Sequence, residues 1–173
     1  MTSGFQVADS FTLGGASTLT GLNFGVWAFP GDTMSQIDWS IVSSPTGGST
    51  LASGTATVSS VLQFNNSFGF NIYLDTIQLG NIALGAGNYW IELQNASTGN
   101  SDPIYWDING GPSQIWESSL GYNPDPGTYA IGLNNASNAF QILGTTEVPE
   151  PASLAVFAAG LLGFASLRRR QAA

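Results

Sequence analysis

The sequence predicts an all-β fold: a jelly-roll-like antiparallel β-sandwich over residues 1–147, followed by a single C-terminal transmembrane helix. Three observations lead to it. Apolar residues alternate with polar ones in many short runs, clusters of turn-forming residues separate those runs, and nothing before residue 150 keeps helical spacing. Strands with one buried face produce this pattern, because successive side chains point to opposite sides of a sheet.

The first run puts Phe5, Val7, Asp9, Phe11 and Leu13 in one phase, which sets a carboxylate among core residues. A break or bulge at Ala8-Asp9 is the economical resolution; otherwise Asp9 must accept backbone N–H bonds or contribute to a cation site. Leu22, Phe24, Val26 and Ala28 then share a face, as do Ile37, Trp39 and Ile41. Phe68, Phe70, Ile72 and Leu74 are expected on the buried face of a later strand, followed by Tyr89, Ile91 and Leu93, then Ile104, Trp106 and Ile108. The last runs are Tyr129, Ile131 and Leu133, and Phe140 with Ile142. Turns fall at Pro30-Gly31-Asp32, at 44–48, 85–87 and 110–112, and at 123–127, each carrying Gly, Pro or both.

Composition bounds the chemistry. With 43% hydrophobic residues, ten Phe, five Tyr and five Trp, the chain can pack a core although only 8% of it is charged. Its length before the tail suits one domain. The three basic residues are Arg168, Arg169 and Arg170, so eleven carboxylates face no side-chain cation anywhere before them. Such a surface cannot neutralise phosphates, which excludes nucleic acid as a main partner. Without His or Cys there is no imidazole base, thiolate, disulfide or zinc site of the usual ligands, and no Ser-His-Asp or Cys-His mechanism. Abundant β-formers with no Cys and few charges fit an exported bacterial protein.

The composition shifts at Val148. Residues 152–167 are uncharged and largely apolar, and the arginines follow at once. As a helix this stretch spans about 24 Å, short of the roughly 30 Å hydrocarbon core, so thinning of the bilayer or snorkelling of the arginines makes up the rest. The positive-inside rule puts Arg168, Arg169 and Arg170 in the cytoplasm as a stop-transfer cluster and residues 1–147 outside, an N-out, C-in anchor in the inner membrane. The start, MTSGFQVADSF, has neither a basic n-region nor an apolar run, so an N-terminal signal peptide is expected to be missing from this sequence.

The motif Val148-Pro149-Glu150-Pro151, then the apolar stretch, then the arginine cluster resembles a PEP-CTERM sorting signal over residues 148–173. The resemblance implies recognition by exosortase, a membrane-embedded cysteine protease-like enzyme of Gram-negative bacteria that make extracellular polysaccharide. The prolines hold Glu150 extended, and Pro151 suits the first turn of a helix, where its missing N–H costs nothing. The segments ADSFTL (8–13), TLTGLNFGVW (18–27), IDWSIVSS (37–44), LASGTATV (51–58), LGAGNYWIELQN (84–95) and AFQILG (139–144) are similar to a common PEP-CTERM companion domain. That likeness brings no activity with it.

Candidate sites follow from phase. Trp27, Phe29, Tyr73, Trp90 and Tyr105 stand opposite their strands' apolar faces and are candidate platforms for sugar rings, with Glu92 beside Trp90 to bond hydroxyls. The competing reading is that both faces of those strands are covered, or that a bulge switches phase. Asp107-Ile108-Asn109-Gly110 opens like a calcium loop, but Gly111 and Ser118 stand where an EF-hand needs an oxygen ligand and Glu. Asp102, Asp107 and Asp125 remain candidates for another calcium site, against a simpler role as solvated turn acids; no cofactor is expected. Of the eleven carboxylates, Glu92, Asp107 and Glu117 are the best-suited members for a hydrolytic pair, and no spacing links them. The expectation is therefore a non-catalytic structural or surface protein associated with exopolysaccharide. A carbohydrate-binding module for the cell's own polysaccharide is the alternative, and a glycan hydrolase comes third.

Overall fold

The computed structural model describes residues 1, 5–119 and 137–147. These form twelve strands: β1 (Phe5–Leu13), β2 (Ser17–Ala28), β3 (Met34–Val42), β4 (Thr50–Thr57), β5 (Ser59–Asn65), β6 (Asn71–Leu84), β7 (Gly87–Thr98), β8 (Tyr105–Trp106), β9 (Ile108–Asn109), β10 (Ile115–Ser119), β11 (Ser137–Asn138) and β12 (Phe140–Thr146). No α-helix occurs among the described residues. The expected membrane helix at 152–167, the motif Val148 to Pro151, the arginines 168–170, Asp125 and the run Tyr129, Ile131, Leu133 lie outside them.

Two antiparallel sheets make the domain. Sheet I has the order β10-β1-β7-β3-β4; sheet II has the order β12-β2-β6-β5, with the short β8 also paired to β2. A two-stranded ribbon joins β11 to β9. Both sheets feed one core: Ile37, Trp39, Ile41, Ile91 and Leu93 from sheet I, and Leu22, Phe24, Val26, Ile77 and Leu79 from sheet II. The alternation in β2, β3 and β7 thus marks the inner face of each strand, as the sequence predicts.

Three expectations need correction. In β6 the inner phase is Tyr73, Asp75, Ile77 and Leu79, so Leu74 is exposed and Tyr73 is buried. Asp75 interrupts the apolar alternation there, while Ile72 is buried outside the main core, which makes the wrong phase look continuous. Phe68 and Phe70 precede the strand and belong to a turn, and Ile108 is exposed. Finally, β1 has no bulge at Asp9. Its pairing with β7 is unbroken from Val7↔Leu93 to Leu13↔Gly87, and Asp9 points into the core fully buried.

Candidate functional site

Sheet II carries a group of aromatic rings on the side away from the core. Trp27, near the end of β2, stands opposite Tyr105 of β8 on one side and Ile72 of β6 on the other. Ile72 faces Phe64 of β5 in turn. Phe29 follows β2, while Phe68 and Phe70 come from the β5–β6 turn. That turn is held by Asn66: its Oδ1 accepts the N–H groups of Phe68 and Phe70, both at 3.0 Å, and its own N–H donates to Phe70 O at 2.9 Å. Gly69 makes the turn at φ 85°, a conformation costly for residues with a Cβ.

The rings touch in sequence. Trp27 and Phe68 are stacked, with centroids 6.1 Å apart and planes 20° apart; Trp27 and Phe70 are tilted by 44° at 5.6 Å. Phe29 tilts by 48° against Phe70 at 4.8 Å, and Tyr105 meets Phe70 edge-on at 6.4 Å. Phe68 is 75% exposed and Tyr105 50%, so the group is open to solvent. The indole N–H of Trp27 donates to Asp107 Oδ1 at 2.6 Å, and that oxygen also accepts the N–H of Ile108 at 3.0 Å.

Gly25 permits this arrangement. A Cβ there would lie 3.2 Å from Asp107 Cβ and 3.4 Å from Ala139 Cβ. Three backbone bonds close the junction: Gly25 N to Ala139 O (2.9 Å), Asp107 N to Gly25 O (2.8 Å) and Ala139 N to Asp107 O (2.7 Å). Asp107 is therefore an anchor for an indole. Asp102, the other described calcium candidate, is half-buried and uses its backbone carbonyl to accept from Thr98 Oγ1 at 3.3 Å. No group of three or more metal-ligating side chains occurs among the described residues.

The remaining sugar-platform candidates are placed differently. Tyr73 lies in the core, where its hydroxyl accepts from Asn71 Nδ2 at 3.1 Å, so it cannot stack on a ligand. Trp90 and Glu92 do share the outer face of sheet I, but Trp90 is half-buried and Glu92 is only 6% exposed. Ser40 Oγ donates to Glu92 Oε2 at 2.5 Å. Burial pushes the Glu92 carboxyl above its ordinary range, and bonds from Ser40 and Gln6 pull it partly back. The register sets Trp116 and Glu92 on either side of Ala8, all outside the main core. Glu117 pairs with Val7 rather than Ala8, so it projects from the opposite face to Glu92, and Asp107 belongs with sheet II.

Phase alone flags Asp9 but misses the other buried acids. Asp9 Oδ2 accepts the Asn138 N–H at 2.5 Å, and burial still raises its pKa to about 6. Asp75 is fully buried on the inner face of β6, and burial raises its pKa to about 6 as well. The polar group that eases this shift is the Ser60 hydroxyl, directly across on β5. Yet neither Asp75 oxygen, nor Ser60 Oγ, completes a hydrogen bond among the described residues. Asp32 accepts the N–H groups of Thr33 and Gly99 at 3.0 Å, which ties the loop after β2 to the end of β7.

At its C-terminal end the domain is pinned. The strand β12 pairs with β2 down to Thr146↔Ser17, and Glu147 N donates to Ala16 O at 2.8 Å. No curated protein matches the chain. Residues 147–170 match the family model of the PEP-CTERM protein-sorting motif, beginning at the residue that makes the last backbone bond to sheet II among the described residues. The chain thus carries a PEP-CTERM sorting signal, the mark of an exported protein processed by exosortase.

Proposed function

We propose that the chain is a non-catalytic protein of the cell envelope or extracellular matrix, released from a transient inner-membrane anchor by exosortase and retained in association with exopolysaccharide. The observation that carries the reading is the abutment of motif and domain: the sorting signal starts where the last strand of sheet II ends. Cleavage within the tail beyond Glu147 then leaves every sheet hydrogen bond of the described residues intact and sets the sandwich free. In this reading residues 152–167 span the inner membrane, Arg168, Arg169 and Arg170 stay in the cytoplasm, and the sandwich stands outside. The dispersal of Glu92, Glu117 and Asp107 over different faces and sheets supports a binding or structural role over hydrolysis. The test is the intact mass and location of the protein in cells with and without exosortase. Tail loss and recovery with the exopolysaccharide fraction are expected only with the enzyme present. An unchanged mass, or a processed protein that separates from exopolysaccharide, would defeat the reading.

A further inference from the structure

We propose that Trp27, Phe29, Phe68, Phe70 and Tyr105 form a binding site for an uncharged polysaccharide chain on the outer face of sheet II. The proposal rests on the exopolysaccharide association inferred above and names the surface responsible. Sugar rings present C–H-rich faces that stack on aromatic rings, and this surface offers several rings in contact, at centroid separations of 4.8–6.4 Å. Phe68 and Tyr105, 75% and 50% exposed, are the rings most open to a sugar, and the rings packed behind them hold them in place. The half-exposed Tyr105 adds a phenol hydroxyl able to bond sugar hydroxyls.

Two features separate this group from stray surface aromatics. First, it is built: Asp107 pins the Trp27 indole, Asn66 pins the turn bearing Phe68 and Phe70, and Gly25 makes room for the Asp107 side chain. A rigid platform loses little entropy when a ligand arrives. Second, it is open: Phe68 is the most exposed large hydrophobic residue of the described chain, although exposing a phenylalanine gains nothing for folding.

Charge selects the occupant. Residues 1–167 hold eleven carboxylates and no side-chain cation, and the whole chain carries a net charge of −8. An acidic polysaccharide meets repulsion with no Lys or Arg to offset it, and a second copy of the chain is repelled in the same way. An uncharged glycan is not.

The test is native gel electrophoresis of the full chain in mild detergent, through gels containing the exopolysaccharide of the producing strain, laminarin, dextran or xyloglucan, with alginate as the acidic control. Retardation by at least one uncharged glycan, and none by alginate, is expected. Phe68→Ala and Tyr105→Ala should each weaken retention about tenfold, as loss of one stacking contact implies. Trp27→Ala should abolish retention; because that ring is half-buried, the two exposed-site variants decide the matter if it fails to fold. Retention by none of the uncharged glycans, or retention unchanged in both exposed-site variants, overturns the proposal. So does self-association that Phe68→Ala abolishes without any glycan effect, which would assign the surface to a second copy. If the protein travels with exopolysaccharide in cells but the variants bind normally, only this site is wrong. If it never travels with exopolysaccharide, the function proposed above fails first.

Discussion

The Asp107 carboxylate accepts the indole N–H of Trp27 at 2.6 Å, across 80 positions of sequence, and so fixes the ring that anchors the aromatic face of sheet II. The bond joins a residue on β2 to the segment just after β8, where backbone bonds through Gly25 already hold the two segments together. A carboxylate acceptor makes this a strong bond of its class, and the ring cannot turn without giving it up, leaving Asp107 Oδ1 only the N–H of Ile108.

Replacing Asp107 should therefore act on both stability and ring geometry. Asp107→Ala is expected to cost about 1.5–3 kcal/mol, the range for a hydrogen bond to a charged group. Asp107→Asn keeps an acceptor oxygen and should cost about half as much or less. Chemical denaturation measures the loss, and near-ultraviolet circular dichroism reports the freed indole. Equal losses in the two variants would show that charge, and not the acceptor, holds Trp27.

Gly25 is testable separately. Gly25→Ala places a methyl group 3.2 Å from Asp107 Cβ at a junction held by three backbone bonds, so relief must come from moving the backbone. Overpacking of this kind costs typically 1–3 kcal/mol. A stability unchanged within error would mean that the segment after β8 shifts freely and that Asp107 does not hold Trp27 in a fixed place.

The buried acids set an unusual pH dependence. Asp9 and Asp75 have folded-state pKa values raised to about 6 from an ordinary 3.8, with burial the main cause. Between these values the folded state keeps protons that the unfolded chain has released, so stability falls as pH rises from about 4 to about 6. The domain should be less stable at pH 7 than at pH 5, with a plateau above the folded-state values. Relief of the −8 net charge on acidification acts in the same direction. Asp75→Asn removes a buried charge that completes no hydrogen bond among the described residues and should raise stability at pH 7 by roughly 1–3 kcal/mol, while flattening the dependence. Thermal melts from pH 4 to 8 decide this; a melting temperature that rises steadily from pH 4 to 7 would contradict it.

Where the core face is purely apolar, period-two alternation reads correctly: Leu22, Phe24, Val26 and Ala28 on β2, and Ile37, Trp39 and Ile41 on β3, are all buried. It fails on β6 because a polar side chain, Asp75, occupies the inner face while Ile72 is covered on the outer one. Alternation cannot separate a core residue from an apolar residue covered on the far side. The aromatic site is legible only in fragments. Trp27, Phe29 and Tyr105 stand out by phase, but their meeting with Phe68 and Phe70 depends on strand order, which brings β2, β8 and the β5–β6 turn together. The run Asn66-Ser67-Phe68-Gly69-Phe70 held a usable signal: an Asn and a Gly at turn positions, flanking rings that a turn must expose. The tail needed no fold, since its three parts are contiguous.

Processing should depend on the motif and its flanks. Replacing Pro149 or Glu150 is expected to leave the tail uncut and the protein in the inner membrane, detected as a heavier mass in the membrane fraction. Neutralising Arg168, Arg169 and Arg170 removes every side-chain cation of the chain and should let a reporter fused after Ala173 leave the cytoplasm. Normal cutting in both motif variants would show that exosortase reads other residues.

Trp90 provides the contrast to Trp27. It lies on the outer face of sheet I, opposite Val42 on β3 and Ser10 on β1, one step along β7 from the Ile91 core position. Val42 is 4% exposed and Glu92, two residues on, is 6% exposed, so this outer face is covered where the one on sheet II is open. Trp90→Ala should therefore cost stability, by less than the roughly 3–5 kcal/mol typical of a core aromatic, because the ring is only half-buried. It should also admit water to Glu92 and lower that carboxyl toward its ordinary range, since burial is what raises it. Retention by uncharged glycans should not change. Denaturation at pH 7 and gel retardation of the same variant check both parts: glycan retention lost with stability intact would move the sugar platform from sheet II to sheet I.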